Sequence, residues 1–169
     1  MKNKIFIAID TKSKKKAKLI ISQSKSRNFK IGYKFGLEFL NSKNGRKFIS
    51  KLKNKIIFVD LKLNDIPNTM SSTLIALKDL NINYLTVHIS SGLKALKEVK
   101  KVSGKTKIVG VTTLTSLDNT DLKSFGHKRS LKEIVILQAK LARKAKLDAI
   151  VCSAHEAKFV KKYFNKEII

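Results

Sequence analysis

The chain has 169 residues, 43% hydrophobic and 29% charged, which suits one globular domain over 1–169. Its apolar runs, such as Ile56-Ile57-Phe58-Val59, are strand-sized, Met1-Lys2-Asn3-Lys4-Ile5 carries no signal-peptide stretch, and the single cysteine, Cys152, forbids an internal disulfide; a helical membrane span is excluded on this pattern, and a reducing cytoplasm is the expected compartment. The net charge of +25 comes from 33 lysines and only four arginines (Arg27, Arg46, Arg129, Arg143), spread along the whole chain, whereas nucleic-acid readers lean on arginine's planar fork, so the charge reads as a solvated lysine surface and a nucleic-acid partner as the alternative.

Short Ile/Val-rich runs alternate with amphipathic segments. The pattern predicts strands at 5–10, 29–35, 56–63, 84–90, 107–114 and 149–153, with a seventh starting at Lys166-Glu167-Ile168-Ile169. Helices are predicted over 13–24, 36–52, 67–80, 92–102, 130–146 and 155–164. Regular β-α alternation means parallel strands with right-handed crossovers. An open doubly wound sheet and a (β/α)8 barrel both satisfy it.

Side-chain parity separates the two. Ile5, Ile7 and Ile9 share one face of the first strand, opposite Phe6, Ala8 and Asp10. Phe29, Ile31 and Tyr33 oppose Lys30 and Gly32; Ile57, Val59, Leu61 and Leu63 oppose Ile56, Phe58, Asp60 and Lys62; Leu85, Val87 and Ile89 oppose Thr86 and His88. One face of each strand is wholly apolar, and the other turns polar toward its C-terminal end. A barrel with a polar mouth has this pattern, because helices cover its outside and chemistry sits at the top of its inside. A doubly wound sheet would bury Lys30, Asp60, Lys62 and His88 under helices. Asp10-Thr11-Lys12-Ser13 also stands where a Gly-rich dinucleotide loop would follow the first strand.

The chemistry concentrates in Asp60-Leu61-Lys62-Leu63-Asn64-Asp65-Ile66-Pro67-Asn68-Thr69. Asp60 and Lys62, two apart on a strand, are expected to share the barrel mouth with Lys30. An inward ammonium must be paired or give up its proton, and Asp60 and Asp65 are the carboxylates at hand. An alternating Lys-Asp-Lys-Asp network holds a negative charge beside a proton donor, which can repel a substrate carboxylate and then protonate the carbanion it leaves. Taken singly, each member has a plainer reading: Asp65 as the N-cap before Pro67, Lys62 as a snorkelling strand-end lysine, Asp60 as an ion-pair partner. His88 reads as a hydrogen-bonded core residue and Cys152 as packing, and His127 and His155 make no metal-ligand spacing with Cys152.

The 60–69 segment resembles the signature of the orotidine 5'-phosphate decarboxylase family. Further matches run in the family's order: Ala8-Ile9-Asp10, Lys30-Ile31-Gly32, Thr86-Val87-His88 with Ser91-Gly92, Val111 to Ser116, and Val151-Cys152-Ser153 with His155-Glu156. The resemblance implies conversion of orotidine 5'-phosphate (OMP) to UMP and carbon dioxide without metal or organic cofactor. Lys62 would donate the proton to C6 of the pyrimidine, Asp60 would crowd the departing carboxylate, and Lys30 and Asp65 would complete the charged network. Asp10 and Lys30 would bind the ribose, Thr115 the pyrimidine edge, and Asp65 and Thr69 would serve the partner's site across a homodimer interface. A sugar-phosphate decarboxylase or aldolase of the same superfamily, needing a metal, is the enzyme alternative.

The expected fold is an incomplete TIM (β/α)8 barrel of about six β-α units, with a strand-7 stub and strand 8 missing. In such barrels the loops after strands 7 and 8 grip phosphate. The 169-residue chain by itself is therefore expected to have little or no activity.

Overall fold

The computed structural model describes residues 3–169. Seven strands follow chain order within one sheet: β1 (Lys4–Ala8), β2 (Lys30–Gly36), β3 (Ile56–Leu63), β4 (Tyr84–His88), β5 (Lys107–Val111), β6 (Ala149–Val151) and β7 (Glu167–Ile168). Sequential order is barrel topology; a doubly wound sheet reverses direction at a switch point. Helices α1 (Lys14–Gln23), α2 (Leu37–Leu40), α3 (Gly45–Ser50), α4 (Pro67–Ala76), α5 (Gly92–Lys101), α6 (Asn119–Ser124), α7 (Leu131–Lys144) and α8 (Ala154–Tyr163) fill the connections. The residues group into two compact units: those up to Leu61 with Ala76–Leu85, and Lys62–Ile75 with Thr86–Ile169.

In the first unit β1, β2 and β3 pair in parallel, with Phe6 opposite Gly32, Ala8 opposite Lys34 and Gly36 opposite Asp60. The two faces of these strands pack differently. Tyr33 and Phe35 are buried on one face, where Phe35 meets Phe39 of α2 and Phe48 of α3 at ring-centroid distances of 5.0 and 6.5 Å. The Tyr33 hydroxyl lies 3.2 Å from the Ile21 carbonyl at the end of α1, and burial raises its pKa. On the opposite parity, Phe6, Phe58 and Tyr84 form a cluster with centroids 5.0–5.6 Å apart, in which Phe6 meets the other two rings edge to face. Gly32 leaves room for it, since a Cβ there would stand 2.7 Å from the Phe6 ring. Each such pair contributes about 0.5–1.5 kcal/mol beyond area burial.

In the second unit β5, β6 and β7 are parallel, with Val109 opposite Ala149 and Ala149 opposite Glu167. α5 buries Ala95, Leu96 and Val99, and α7 buries Val135, Ala139 and Ala142, the i, i+3, i+4, i+7 spacing of a core-facing stripe. Ser130 and Glu133 form a capping box at the start of α7.

The helix predicted over 36–52 is two helices. Asn44 adopts φ +66°, and a Cβ on Gly45 would collide with the Phe39 carbonyl oxygen, so Asn-Gly turns the chain between α2 and α3. The helix predicted to 80 ends at Ala76, and a 3-10 turn over Lys78–Leu80 closes on Asn81 at φ +48°. Helix α6 has no counterpart among the predicted elements; the Asp118 side chain caps it by accepting from the Thr120 and Asp121 N–H groups at 2.7 and 2.9 Å. Strands predicted to reach 10, 90, 114 and 153 stop two or three residues earlier, and after β4 the chain enters a 3-10 turn over Ile89–Ser91.

Candidate active site

In the first unit the C-terminal ends of β1, β2 and β3 bring three charged side chains forward. β2 runs Lys30, Gly32, Lys34 along one face. The Ile9 N–H donates to the Lys34 carbonyl at 2.8 Å, so exposed Asp10 comes one residue past that link. Lys34 Nζ lies 3.1 Å from Asp60 Oδ2, with the Asp60 side chain 9% exposed and that of Lys34 28%. The low exposure of Asp60 makes the pair more than a surface contact, since a buried carboxylate without a cation would be strongly disfavoured.

Lys30 does not take part in this pair, contrary to the expectation for it. It is the first residue of β2, exposed, and in register with Lys4. Gly32, under the Phe6 ring, separates the two lysines along the strand, so the apolar Phe6–Phe58–Tyr84 layer ends Lys30's face and begins that of Lys34. Lys4 Nζ sits 5.6 Å from the Tyr84 ring centroid. Lys34 has the parity of Lys30 and sits four residues nearer the chemical end of the strand. That position was the signal in the sequence that could have found it.

In the second unit Lys62 follows Asp60 by two residues on β3, yet plain alternation does not continue through it. Lys62 takes φ +48°, a left-handed backbone that costs a non-glycine residue about 1–2 kcal/mol. Its N–H donates to the Thr86 Oγ1 at 2.8 Å, and Thr86 is 1% exposed. Thr86 is a site neighbour that parity placed on the inner face without giving it a role.

Asp65 is exposed, and its Oδ1 accepts from the Ile66 N–H at 2.7 Å. The first α4 backbone bond runs from the Met70 N–H to the Ile66 carbonyl, so Ile66 holds the cap position and Pro67 the first helical one. Asp65 is therefore not the N-cap of α4. Thr69 is exposed on α4, as is Ile75 at 49%, and the cap residue Ile66 is 65% exposed.

Thr115 is exposed in the loop after β5. That loop is tied down from α7, where Gln138 Oε1 accepts from both the N–H and the hydroxyl of Thr113, at 2.8 and 3.2 Å. Cys152 is half-buried; burial, and then the Glu156 carboxylate, push its thiol up to about 11, which disfavours the thiolate.

A model of the family described as orotidine 5'-phosphate decarboxylase / HUMPS matches residues 3–169. The chain belongs to that family. The orotidine 5'-phosphate decarboxylase of Wolbachia sp. subsp. Brugia malayi is 46% identical over 163 residues, covering 94% of this chain and 71% of its own. That of Sphingopyxis alaskensis is 44% identical, covering 96% of this chain and 72% of its own. Among solved structures, the orotidine 5'-phosphate decarboxylase of Lactobacillus acidophilus superposes with a TM-score of 0.86 at 28% identity, over 99% of this chain and 79% of that one. The Methanocaldococcus jannaschii enzyme complexed with the inhibitor BMP gives 0.78 at 26% identity. The family's fold is thus the fold here, an incomplete (β/α)8 barrel, and the Lys34–Asp60 pair and Lys62 stand at the C-terminal strand ends where such barrels do chemistry.

Proposed function

We propose that this chain carries the decarboxylation of OMP to UMP. The observation that carries the reading is the ion pair of Lys34 with buried Asp60, two residues before Lys62 on β3. The C6–carboxylate bond breaks, carbon dioxide leaves, and the electron pair left on C6 takes a proton from the Lys62 ammonium. Asp60 carries a fixed negative charge toward the substrate carboxylate, a ground-state repulsion relieved as the bond breaks. Lys34 supplies the cation paired with Asp60, the place in the charged network that the sequence assigned to Lys30. Asp10 serves the ribose and Thr115 the pyrimidine edge. No metal or organic cofactor enters this scheme.

Asp65 and Thr69 act in a partner's site within a homodimer. The exposure of Asp65 just before α4, of Thr69 on it, and of the apolar Ile66 and Ile75 near its two ends supports that reading. The single cysteine suits a cytoplasmic protein.

Single-turnover release of labelled carbon dioxide at high OMP tests the proposal. Removal of a proton donor costs on the order of 10²–10⁴ in rate, so Lys62→Ala should be slower than the parent by at least about a hundredfold. Equal release by parent and Lys62→Ala overturns the reading. The same assay checks the expectation of low activity for the 169 residues alone: slow release that depends on Lys62 agrees with both. Release that requires an added divalent metal would favour the sugar-phosphate branch.

A further inference from the structure

We propose that Thr86 is a positioning residue for Lys62: its buried hydroxyl holds the Lys62 backbone in the left-handed conformation that aims the ammonium. Three observations in the second unit meet here. Lys62 has φ +48° inside a strand, where residues ordinarily have negative φ. The Lys62 N–H donates to Thr86 Oγ1 at 2.8 Å. Thr86 is 1% exposed, so solvent does not compete for that bond.

The physical argument concerns direction. In a regular strand a side chain leaves perpendicular to the sheet, in a direction set by alternation. Turning φ through zero at Lys62 changes the direction of its Cα–Cβ bond and redirects the four-carbon stem. A strained conformation persists only where its surroundings hold it. The Thr86 hydroxyl oxygen, accepting from the Lys62 N–H, supplies such a hold. Valine in place of Thr86 keeps the shape and removes the acceptor. The Lys62 N–H is then left without it, and the backbone can relax toward the extended region. Serine keeps the acceptor and drops only a methyl group.

The inference rests on the reading of Lys62 as proton donor, and the experiment separates the two. Thr86→Val and Thr86→Ser are compared with the parent, each also with Lys62→Ala, by single-turnover decarboxylation of OMP and by amide hydrogen exchange at Lys62. Thr86→Val is expected to lower the rate constant at saturating OMP by about tenfold or more with little change in the OMP concentration for half-saturation, to speed exchange at the Lys62 amide, and to have no further effect once Lys62 is alanine. Thr86→Ser is expected to restore both readouts. Unchanged amide exchange in Thr86→Val overturns the inference whatever the activity. So does a loss in Thr86→Val that serine does not rescue, or one that persists undiminished in the Lys62→Ala background. Full activity of Lys62→Ala would instead overturn the decarboxylase reading, and amide exchange alone would then decide whether Thr86 holds the Lys62 backbone.

Discussion

Among the described residues, each unit holds a part-buried Lys–Asp pair, and the two pairs have different surroundings. Lys34 and Asp60 meet at 3.1 Å at the C-terminal ends of β2 and β3. Lys100 and Asp148 meet at 2.6 Å, where α5 ends and β6 is about to begin. The lysines are almost equally exposed, 28% and 27%, but Asp60 is 9% exposed and Asp148 23%. Asp148 spends its remaining capacity on the scaffold: the same Oδ2 accepts from the Ile108 N–H at 2.8 Å, at the start of β5. It is a clamp between a helix end and two strand beginnings. Asp60, near the C-terminal end of β3, is matched with a cation and lies two residues before Lys62 in the sequence. On the proposed function, the same two residue types serve stability at the N-terminal ends of strands and chemistry at the C-terminal ends, a division common to barrels.

Removing one member of each pair would sharpen or break this contrast. The largest effect is expected for Lys34→Ala. Loss of a preorganised charge at a reacting centre costs on the order of 10²–10³ in rate, so OMP decarboxylation should fall by about that factor. Asp60, left buried without this partner, should also cost about 1–3 kcal/mol of stability, read by urea denaturation. Unchanged single-turnover rates in Lys34→Ala would remove the distinction between the pairs. Asp148→Ala should do the reverse. It strips the partner from Lys100 and from the Ile108 N–H, a loss of about 1–3 kcal/mol in the same denaturation experiment, while the decarboxylation rate of the folded protein stays that of the parent. The smallest effect belongs to Lys30→Ala, at an exposed strand start, with stability within about 0.5 kcal/mol of the parent and an unchanged rate. A Lys30→Ala rate loss as large as that of Lys34→Ala would return Lys30 to the network.

Much of the scaffold was legible because its signals are periodic. Strand β3 matches its predicted span of 56–63, and α1, α5, α7 and α8 fall within one or two residues of theirs. Period-two parity put Asp60, Thr86 and His88 on the polar face of their strands. The misses share a cause: each turns on what a residue touches across the fold. The single predicted helix over 36–52 is broken by Asn44 and by the Phe39 backbone against Gly45. The capping reading of Asp65 failed by one position, since Ile66 takes the cap. Lys30 matched a short motif, and the Phe6 ring over Gly32 puts it on the other side of an apolar layer from Lys34.

By itself the sequence determined the class of fold and singled out the 60–69 segment as the candidate site. Apolar periodicity needs no partner to be read, and a carboxylate–lysine–carboxylate run at the end of a strand has few structural uses. Tertiary structure alone decided which lysine meets Asp60 and how the backbone runs at Lys62. Parity repeats every two residues, so it cannot tell Lys30 from Lys34. Only the register of β2 against β3, and the aromatic layer across it, bring Lys34 to Asp60. Nor does any local propensity call for left-handed backbone at a lysine; a hydroxyl from β4, distant in sequence and adjacent in space, accompanies it there.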